Sequence, residues 1–480
     1  MKKLVIIYDE RIRPGDEIRE ITGEKSFSGI IYKRRTLESI MDAEIREAAE
    51  KLKIPVKTLH WDGFKDPEMD EGERHSKALL IFSDCVVLSK KEFEVVLKKS
   101  LYTEESYRIM AGENVACVLY KDMEAFLSDS ALDSPALKTK SMDYENAESG
   151  AFSDISGKDA FLAFITGGFE ARFFNSLSGD EYTVVKKSGN KKKIRSEYRF
   201  YELLPDNMKG WFVQPYDFKE DEKEASYRMQ RYHMTDLAIR YVHGAISVEE
   251  FKKILELLFV FLSERKEEEV SWNEFYERRR DLYILKVEKR IAELKQHPDF
   301  PKLEEHIKNG TAYNGIDSIV KAYEDLYDKM AGSVKEKLCK TASHGDLCFS
   351  NILYSPDAFL MRFVDPKGAE SEEELYSDPL YDIAKLSHSI SGQYDFMNSA
   401  LFGIEVTDDL KLKLSIDGDI TEYRRMFEDK LKEKGIDVPT VRLFECSLFL
   451  SMLPLHMDRP KKVLSFILNA ILILQELSTP

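Results

Sequence analysis

The stretch His344-Gly345-Asp346-Leu347-Cys348-Phe349-Ser350-Asn351, followed 14 positions later (365 minus 351) by Asp365, constrains this chain more than any other feature. Asp365 stands in Phe363-Val364-Asp365-Pro366-Lys367-Gly368, and the apolar run 360–364 predicts a strand that delivers this carboxylate at its end. Phosphoryl transfer asks little covalent chemistry of a protein. It needs a carboxylate facing the attacking hydroxyl and oxygen ligands for the magnesium ions on ATP. Asp346 can supply the first, Asn351 and Asp365 the second. A helix-capping turn would account for His-Gly-Asp, and a lone Asp-Pro is common in loops. Neither accounts for the spaced Asp, Asn, Asp set behind a strand.

The spacing His-x-Asp-x4-Asn matches the protein-kinase catalytic loop, except that Gly345 replaces its arginine and Pro-Lys-Gly follows Asp365. At these residues the chain resembles the aminoglycoside phosphotransferase and choline kinase superfamily, whose loop reads His-Gly-Asp-x4-Asn with a later metal-binding Asp. The resemblance implies a bilobal, protein-kinase-like α+β fold and an ATP-dependent kinase acting on a small-molecule hydroxyl. A sugar, a nucleotide sugar or an amino alcohol would serve as acceptor. It also implies that Asp346 aligns or deprotonates that hydroxyl while Asn351 and Asp365 hold Mg²⁺. Downstream, Asp378-Pro379-Leu380-Tyr381-Asp382-Ile383-Ala384-Lys385-Leu386 resembles the segment that follows the metal-binding Asp in this superfamily, with Asp382 bracing the loop from beneath. His344 reads as a structural hydrogen-bonder.

At 480 residues the chain exceeds one ordinary core, so two to four folding units are expected. A formal net charge of −16 argues against a nucleic-acid binder, which gains most of its affinity from Lys and Arg. Cys85, Cys117, Cys339, Cys348 and Cys446 are scattered without a Cys-x-x-Cys pair, which fits reduced thiols rather than a zinc or disulfide framework. The first apolar run, 4–8, is too short for a signal segment, and 463–474 falls short of the roughly 20 residues that span a bilayer. A cytoplasmic protein without a membrane span is expected. Nothing in the sequence speaks to its oligomeric state.

Strand and helix patterns alternate over residues 1–130, at 4–8, 36–52, 56–60, 78–82, 91–100 and 115–120, predicting an α/β domain on a mostly parallel sheet. Residues 131–157, rich in Ser, Asp, Lys and Glu, read as a linker. A kinase-like N-lobe is expected over 158–235 and a helical C-lobe over 236–480. In the strand 182–187 the period of two puts Val184 and Lys186 on one face, and an inward Lys186 would reach the nucleotide phosphates. Lys187 is its rival. Glu197 or Glu202 of the following helix could orient the lysine; Glu197 is preferred, because Glu197-x3-Tyr201-x2-Leu204 resembles the corresponding helix of choline-kinase-like proteins. Backbone groups of Gln230, Arg231 and Tyr232 would meet adenine. Residues 164–169 could form the turn over the phosphates, Asp236 reads as a helix cap, and His388, Tyr394, Asp395, Ser451, His456 and Asp458 are polar interruptions near the presumed pocket.

In the first domain the strand 79–82 ending at Ser83-Asp84 resembles a sugar-nucleotidyltransferase segment, in which such an aspartate holds metal and nucleotide. Asp9-Glu10-Arg11 stands where those enzymes carry a glycine-rich loop. The domain is therefore expected to be a degenerate nucleotidyltransferase or an unrelated α/β module. Fusion of the two by analogy fits bacterial capsule or surface-polysaccharide biosynthesis. The alternatives to a kinase are a bifunctional nucleotidyltransferase-kinase and a non-catalytic pseudokinase scaffold.

Overall fold

Five consecutive apolar residues, Leu4 to Tyr8, can all be buried only where both faces of a sheet are covered, and the strand Leu4–Asp9 occupies such a place. Leu4, Ile6 and Tyr8 enter one core with Met41, Ile45, Phe93 and Leu97. Val5 and Ile7 enter the opposite one with Trp61, Met123 and Phe126. The helices Leu37–Leu52 and Lys90–Tyr102 cover the first face, and Thr36 and Ser89 cap them by accepting the backbone N–H of Ser39 and Glu92. The computed structural model describes residues 3–33, 35–61, 74–128, 144–165, 177–179, 182–232, 234–331, 337–416 and 418–479.

The sheet runs Val56–Trp61, Leu4–Asp9, Lys77–Phe82, Asn114–Tyr120, Tyr107–Ala111, Glu145–Glu148. Its first three strands are parallel, the next two pairings antiparallel and the last parallel. The sheet is thus mixed, correcting the expectation of a mostly parallel one. The reversal is local: Gly112, at φ 64°, lets the chain turn back between Ala111 and Asn114.

The chain divides into two compact units, the first Met1–Ala171 with His243–Ala245 and Ser355–Asp357, the second the remainder. Strands Glu145–Glu148 and Phe152–Asp154 lie inside the expected linker 131–157 yet pair with Tyr107–Ala111 and Cys85–Val87. The helix Lys158–Ile165, expected in the N-lobe, belongs to the same unit. The boundary therefore falls near 171 and not at 130; residues 129–143 lie outside those described. An edge strand needs only backbone pairing, and Glu145–Glu148 has almost no apolar side chain to betray it.

The second unit begins with an antiparallel sheet ordered Leu177–Gly179, Thr183–Ser188, Ala225–Gln230, Pro215–Glu220. The helix Lys191–Leu203 packs on it through Ile194, which shares a core with Val184, Tyr227 and Met229. Helices then dominate, two of them opening on Ser-x-x-Glu caps at Ser247 and Ser271. The expected core helix at 463–474 lies within Pro460–Ser478, and an unexpected hairpin joins Gly403–Val406 to Leu412–Ser415. The helical stretch Val438–His456 is long and apolar enough to cross a membrane, and 67% of that window is buried inside the protein.

A buried ion pair ties the helices together. Arg279 Nε donates to Asp378 Oδ2 at 2.7 Å, while Tyr283 Oη and the Leu380 N–H donate to Oδ1 at 3.1 and 2.9 Å. The π-helical turn Asp281–Leu285 aims Tyr283, whose ring stacks on Phe444 with centroids 3.7 Å apart. Arg279→Met leaves a buried carboxylate without its cation and is expected to lower stability by about 3–5 kcal/mol. Denaturant unfolding measures this; a loss under about 1 kcal/mol would show that the two neutral donors suffice.

Candidate functional site

A buried carboxylate organises the His344-Gly345-Asp346 loop. Asp382, at the start of the helix Tyr381–Ile390, accepts the backbone N–H of His344 at 3.0 Å on Oδ2 and that of Gly345 at 2.8 Å on Oδ1. Arg265 Nη1 closes the network at 3.3 Å. The His344 ring accepts the Asp346 N–H at Nδ1 (3.1 Å), which makes Nε2 the protonated nitrogen, donating to the Val364 carbonyl at 2.9 Å. Burial pushes this imidazole's pKa below its ordinary value, so it serves as a neutral strut. Through it the loop is tied to the residue before Asp365.

Gly345 adopts φ +78°, and a Cβ there would lie 2.3 Å from the Lys367 side chain. The Lys367 stem therefore fills the space beside the loop, with Nζ donating to the Tyr376 carbonyl at 3.2 Å. Burial lowers this ammonium's pKa to about 8, although Asp382 opposes the shift. A cleft of about 510 Å³ beside the loop is lined by Arg278, Lys286, Gly345, Lys367, Tyr376 and Tyr381 among others.

Beyond Gly345 the loop presents Asp346. Asn351 Nδ2 donates to the Asp346 backbone carbonyl at 2.8 Å and to its Oδ2 at 3.1 Å, leaving the Asn351 carbonyl oxygen as the atom available to a cation. Lys385 Nζ lies 2.8 Å from Asp346 Oδ1. Burial alone would raise the Asp346 pKa, but the Lys385 charge and hydrogen bond outweigh it and hold the carboxyl below its usual range. Burial likewise opposes the Lys385 charge, and Asp346 more than restores it. Sequence reading passed over Lys385, a variable position of its motif. The available signal was its i,i+3 spacing from Asp382, which places both on one helix face.

The strand Thr183–Ser188 points Lys186 inward and Lys187 outward. Lys186 Nζ lies 2.7 Å from both Glu197 Oε2 and Asp365 Oδ1, whereas Lys187 is exposed beside Glu224 at 3.5 Å. Burial disfavours the Lys186 charge, yet the two carboxylates reverse this and raise its pKa. Glu197 is buried in the helix Lys191–Leu203 and also accepts from Tyr227 Oη at 3.1 Å; Glu202 is exposed. Asp365 sits at φ +54°, a left-handed conformation that Asp tolerates better than most residues. The structure thus brings Lys186, Glu197 and Asp365 together, and joins Asp346 to Asn351.

The hinge expectation changes in one respect. The Arg231 N–H donates to the Tyr182 carbonyl at 2.9 Å, so it is engaged by the sheet and not open to adenine. Gln230 pairs with Thr183 at the end of the ladder, and Tyr232 lies under the Arg362 guanidinium. Asp236 caps a helix, accepting the Ile239 N–H at 2.9 Å. Of the proposed phosphate turn, Phe164 and Ile165 end the helix Lys158–Ile165, while 166–169 lie outside the described residues. His388 is buried between Tyr394 and Phe449, with centroids 4.4 and 4.2 Å away. Ser451 bonds its own helix, and His456 meets the edge of Phe466.

In the first unit Arg11 grips Asp9 at 2.8 and 2.6 Å, and Asp84 is buried. Glu10, Glu38 and Asp42 surround His60, with nitrogen-oxygen distances of 3.4, 3.3 and 3.3 Å. Glu38 and Asp42 of the helix Leu37–Leu52, with Glu10 after the first strand, form an acidic rim around His60.

No family model and no curated protein matches the chain. Among solved structures it is similar to a thermostable mutant of aminoglycoside phosphotransferase APH(4)-Ia, at 12% identity and a TM-score of 0.35 over 65% of this chain and 99% of that one. It is also similar to the GDP complex of aminoglycoside 2'-phosphotransferase-IIIa, at 12% identity and a TM-score of 0.35 over 66% and 97%. The aminoglycoside-3'-phosphotransferase of type VIII is matched at 13% identity and a TM-score of 0.32 over 56% and 84%.

The loop's dependence on Gly345 is open to test. Gly345→Ala combines a positive φ, costing about 1–2 kcal/mol, with a clash against Lys367. Adding Lys367→Ala is expected to recover only the clash, so the double variant should melt between Gly345→Ala and Lys367→Ala alone. Full recovery in the double variant would show that the backbone angle carries no cost.

Proposed function

We propose that this chain is an ATP-dependent phosphotransferase that moves the γ-phosphoryl group of ATP to a hydroxyl of a sugar, a nucleotide sugar or an amino alcohol. The observation that carries this reading is the Lys186 ammonium held 2.7 Å from both Glu197 and Asp365. A lysine fixed by one carboxylate and pointed at a second is the arrangement that places a cation on ATP phosphates beside the metal-binding aspartate. The Asn351 carbonyl and the Asp365 carboxylate are hard oxygen donors, matched to Mg²⁺. When bound, the ion would neutralise charge on the β and γ phosphates.

In this reading the acceptor oxygen attacks the γ phosphorus, the bond to the β–γ bridging oxygen breaks, and ADP leaves with the electron pair. Asp346 aligns the hydroxyl and receives its proton as the new bond forms. Asn351 fixes Asp346, and Lys186 faces the nucleotide. Gln230 and Tyr232 lie at the proposed adenine edge. A role in surface-polysaccharide assembly inside the cell belongs to the same proposal and rests on domain fusion alone. The Asp346, Asn351 and Asp365 set, with Lys186 paired, disfavours a scaffold without activity.

An ATP-consumption screen over sugars, nucleotide sugars, choline, ethanolamine and aminoglycosides tests the reading. Asp346→Asn should keep nucleotide binding and lose roughly 10² to 10⁴ in turnover, while Asp365→Ala should lose Mg·ATP binding as well. Lys186→Ala should raise the Michaelis constant for ATP and lower turnover more than Lys187→Ala. Wild-type rates in both aspartate variants would refute the assignment.

The acidic rim of the first unit bears on the bifunctional alternative. A nucleotidyl-transfer site needs backbone N–H groups around a triphosphate, whereas Glu10, Glu38 and Asp42 gather carboxylates around His60. No pyrophosphate release from CTP or UTP is expected with sugar phosphates or phosphocholine. Release that Asp84→Ala abolishes would establish the bifunctional enzyme.

A further inference from the structure

The Asp346 carboxylate is held at both oxygens, by the Asn351 amide on Oδ2 and by Lys385 on Oδ1. We propose that Lys385 is a positioning residue for phosphoryl transfer: it sets the rotation of the Asp346 carboxylate toward the acceptor hydroxyl and acts only through that carboxylate. This rests on the phosphotransferase reading above.

Rotation of an aspartate about its last side-chain bond is broad and nearly two-fold, so the carboxylate does not orient itself. One hydrogen bond from Asn351 leaves it free to swing about the shared oxygen. A second donor on the other oxygen removes that freedom. Lys385 is suited to the task because its helix is already fixed to the loop: Asp382, three residues earlier, takes the N–H groups of His344 and Gly345. One rigid helix thereby positions both the backbone and the side chain of the same loop.

Burial supports the assignment. A lysine without a role normally leaves its ammonium in water, but the Lys385 side chain is only 14% exposed. Its surroundings include Cys348 and His388, whose charged forms burial disfavours, so Asp346 is the countercharge that the geometry supplies. The price of misplacing a reacting group by about 1 Å is on the order of 10² in rate. That sets the size of the expected effect.

The test uses the full chain with Mg·ATP, first with water as acceptor and then with any acceptor the screen identifies. Lys385→Gln is expected to lower turnover about 10²-fold while the affinity for a non-hydrolysable ATP analogue and the Michaelis constant for ATP hold within about twofold. Lys385→Arg should recover all but about tenfold of the rate, since it restores a donor at the same oxygen. The double variant Lys385→Gln/Asp346→Asn should be no slower than Asp346→Asn, because nothing remains to be positioned. Should Lys385→Gln fail to fold with the Asp346 carboxylate left without its countercharge, the double variant removes that charge and the Lys385→Arg rate carries the comparison.

Turnover at the wild-type rate in Lys385→Gln overturns the proposal. So does a double variant slower than Asp346→Asn by the whole Lys385→Gln factor, which would give Lys385 a role independent of Asp346. A wild-type protein that neither binds nor consumes ATP overturns the phosphotransferase reading itself. Wild-type turnover with an unaffected Lys385→Gln sinks only the positioning role.

Discussion

The arrangement of the second unit hangs on one buried carboxylate, Asp382. It has no exposed surface, and an isolated carboxylate so placed costs several kcal/mol. Arg265 and the N–H groups of His344 and Gly345 offset that cost. Arg265 is itself pinned, donating to the carbonyls of Leu262 and Pro379 at 3.1 and 3.0 Å. The end of one helix, the start of another and the loop between strands therefore meet at a single charge. None of the three can shift without leaving a buried polar group unpaired. The direction of Asp346 and Asn351 follows from that fixed backbone, and His344 carries the same constraint across to Val364 and thus to Asp365.

Charge balance separates the two halves of the site. Asp346 and Lys385 cancel, one negative against one positive. Lys186 faces Glu197 and Asp365, one positive against two negatives, so that half carries a net deficit of one positive charge. Lys193 stands 3.8 Å from Glu197 but is 63% exposed, and solvent screens it. A local excess of negative charge beside oxygen donors is what a divalent cation complements. The two polarities are set by lysines from different elements, a strand and a helix, converging on carboxylates of one loop region.

The juxtaposition of the candidate site residues was legible where their spacing is local. The run from His344 to Asp365 sits on a loop and two short strands, and period-two alternation separated Lys186 from Lys187. What stayed hidden depends on contacts far apart in sequence. Lys385 meets Asp346 from a position the motif leaves open, and Arg265 and Arg279 reach Asp382 and Asp378 across more than 90 residues. In the first unit the buried strands announced themselves by apolar runs. The polar edge strand Glu145–Glu148 did not, because its place in the sheet is decided by backbone pairing. The antiparallel return was signalled only by Gly112, a single residue. Among the backbone groups of Gln230, Arg231 and Tyr232 expected to meet adenine, the sequence does not reveal that the Tyr182 carbonyl takes the Arg231 N–H.

Two departures from the protein-kinase loop, glycine for arginine at 345 and lysine in the run after Asp365, turn out to be one structural feature. An arginine at 345 is excluded twice: by the backbone angle of +78° and by the Lys367 stem, which would lie 2.3 Å from its Cβ. The space beside Gly345 is filled by the Lys367 side chain. Its amide donates to the His344 carbonyl at 2.9 Å, so the lysine is anchored to the loop it fills. Burial lowers its pKa to about 8 while the Asp382 charge works against that fall, and the same Asp382 holds the loop backbone. Replacing either residue alone therefore breaks a packed pair: a side chain at 345 has no room, and a short side chain at 367 opens a void beneath the residue that precedes Asp346. In this chain the glycine at 345 and the lysine at 367 are therefore two parts of one packed arrangement.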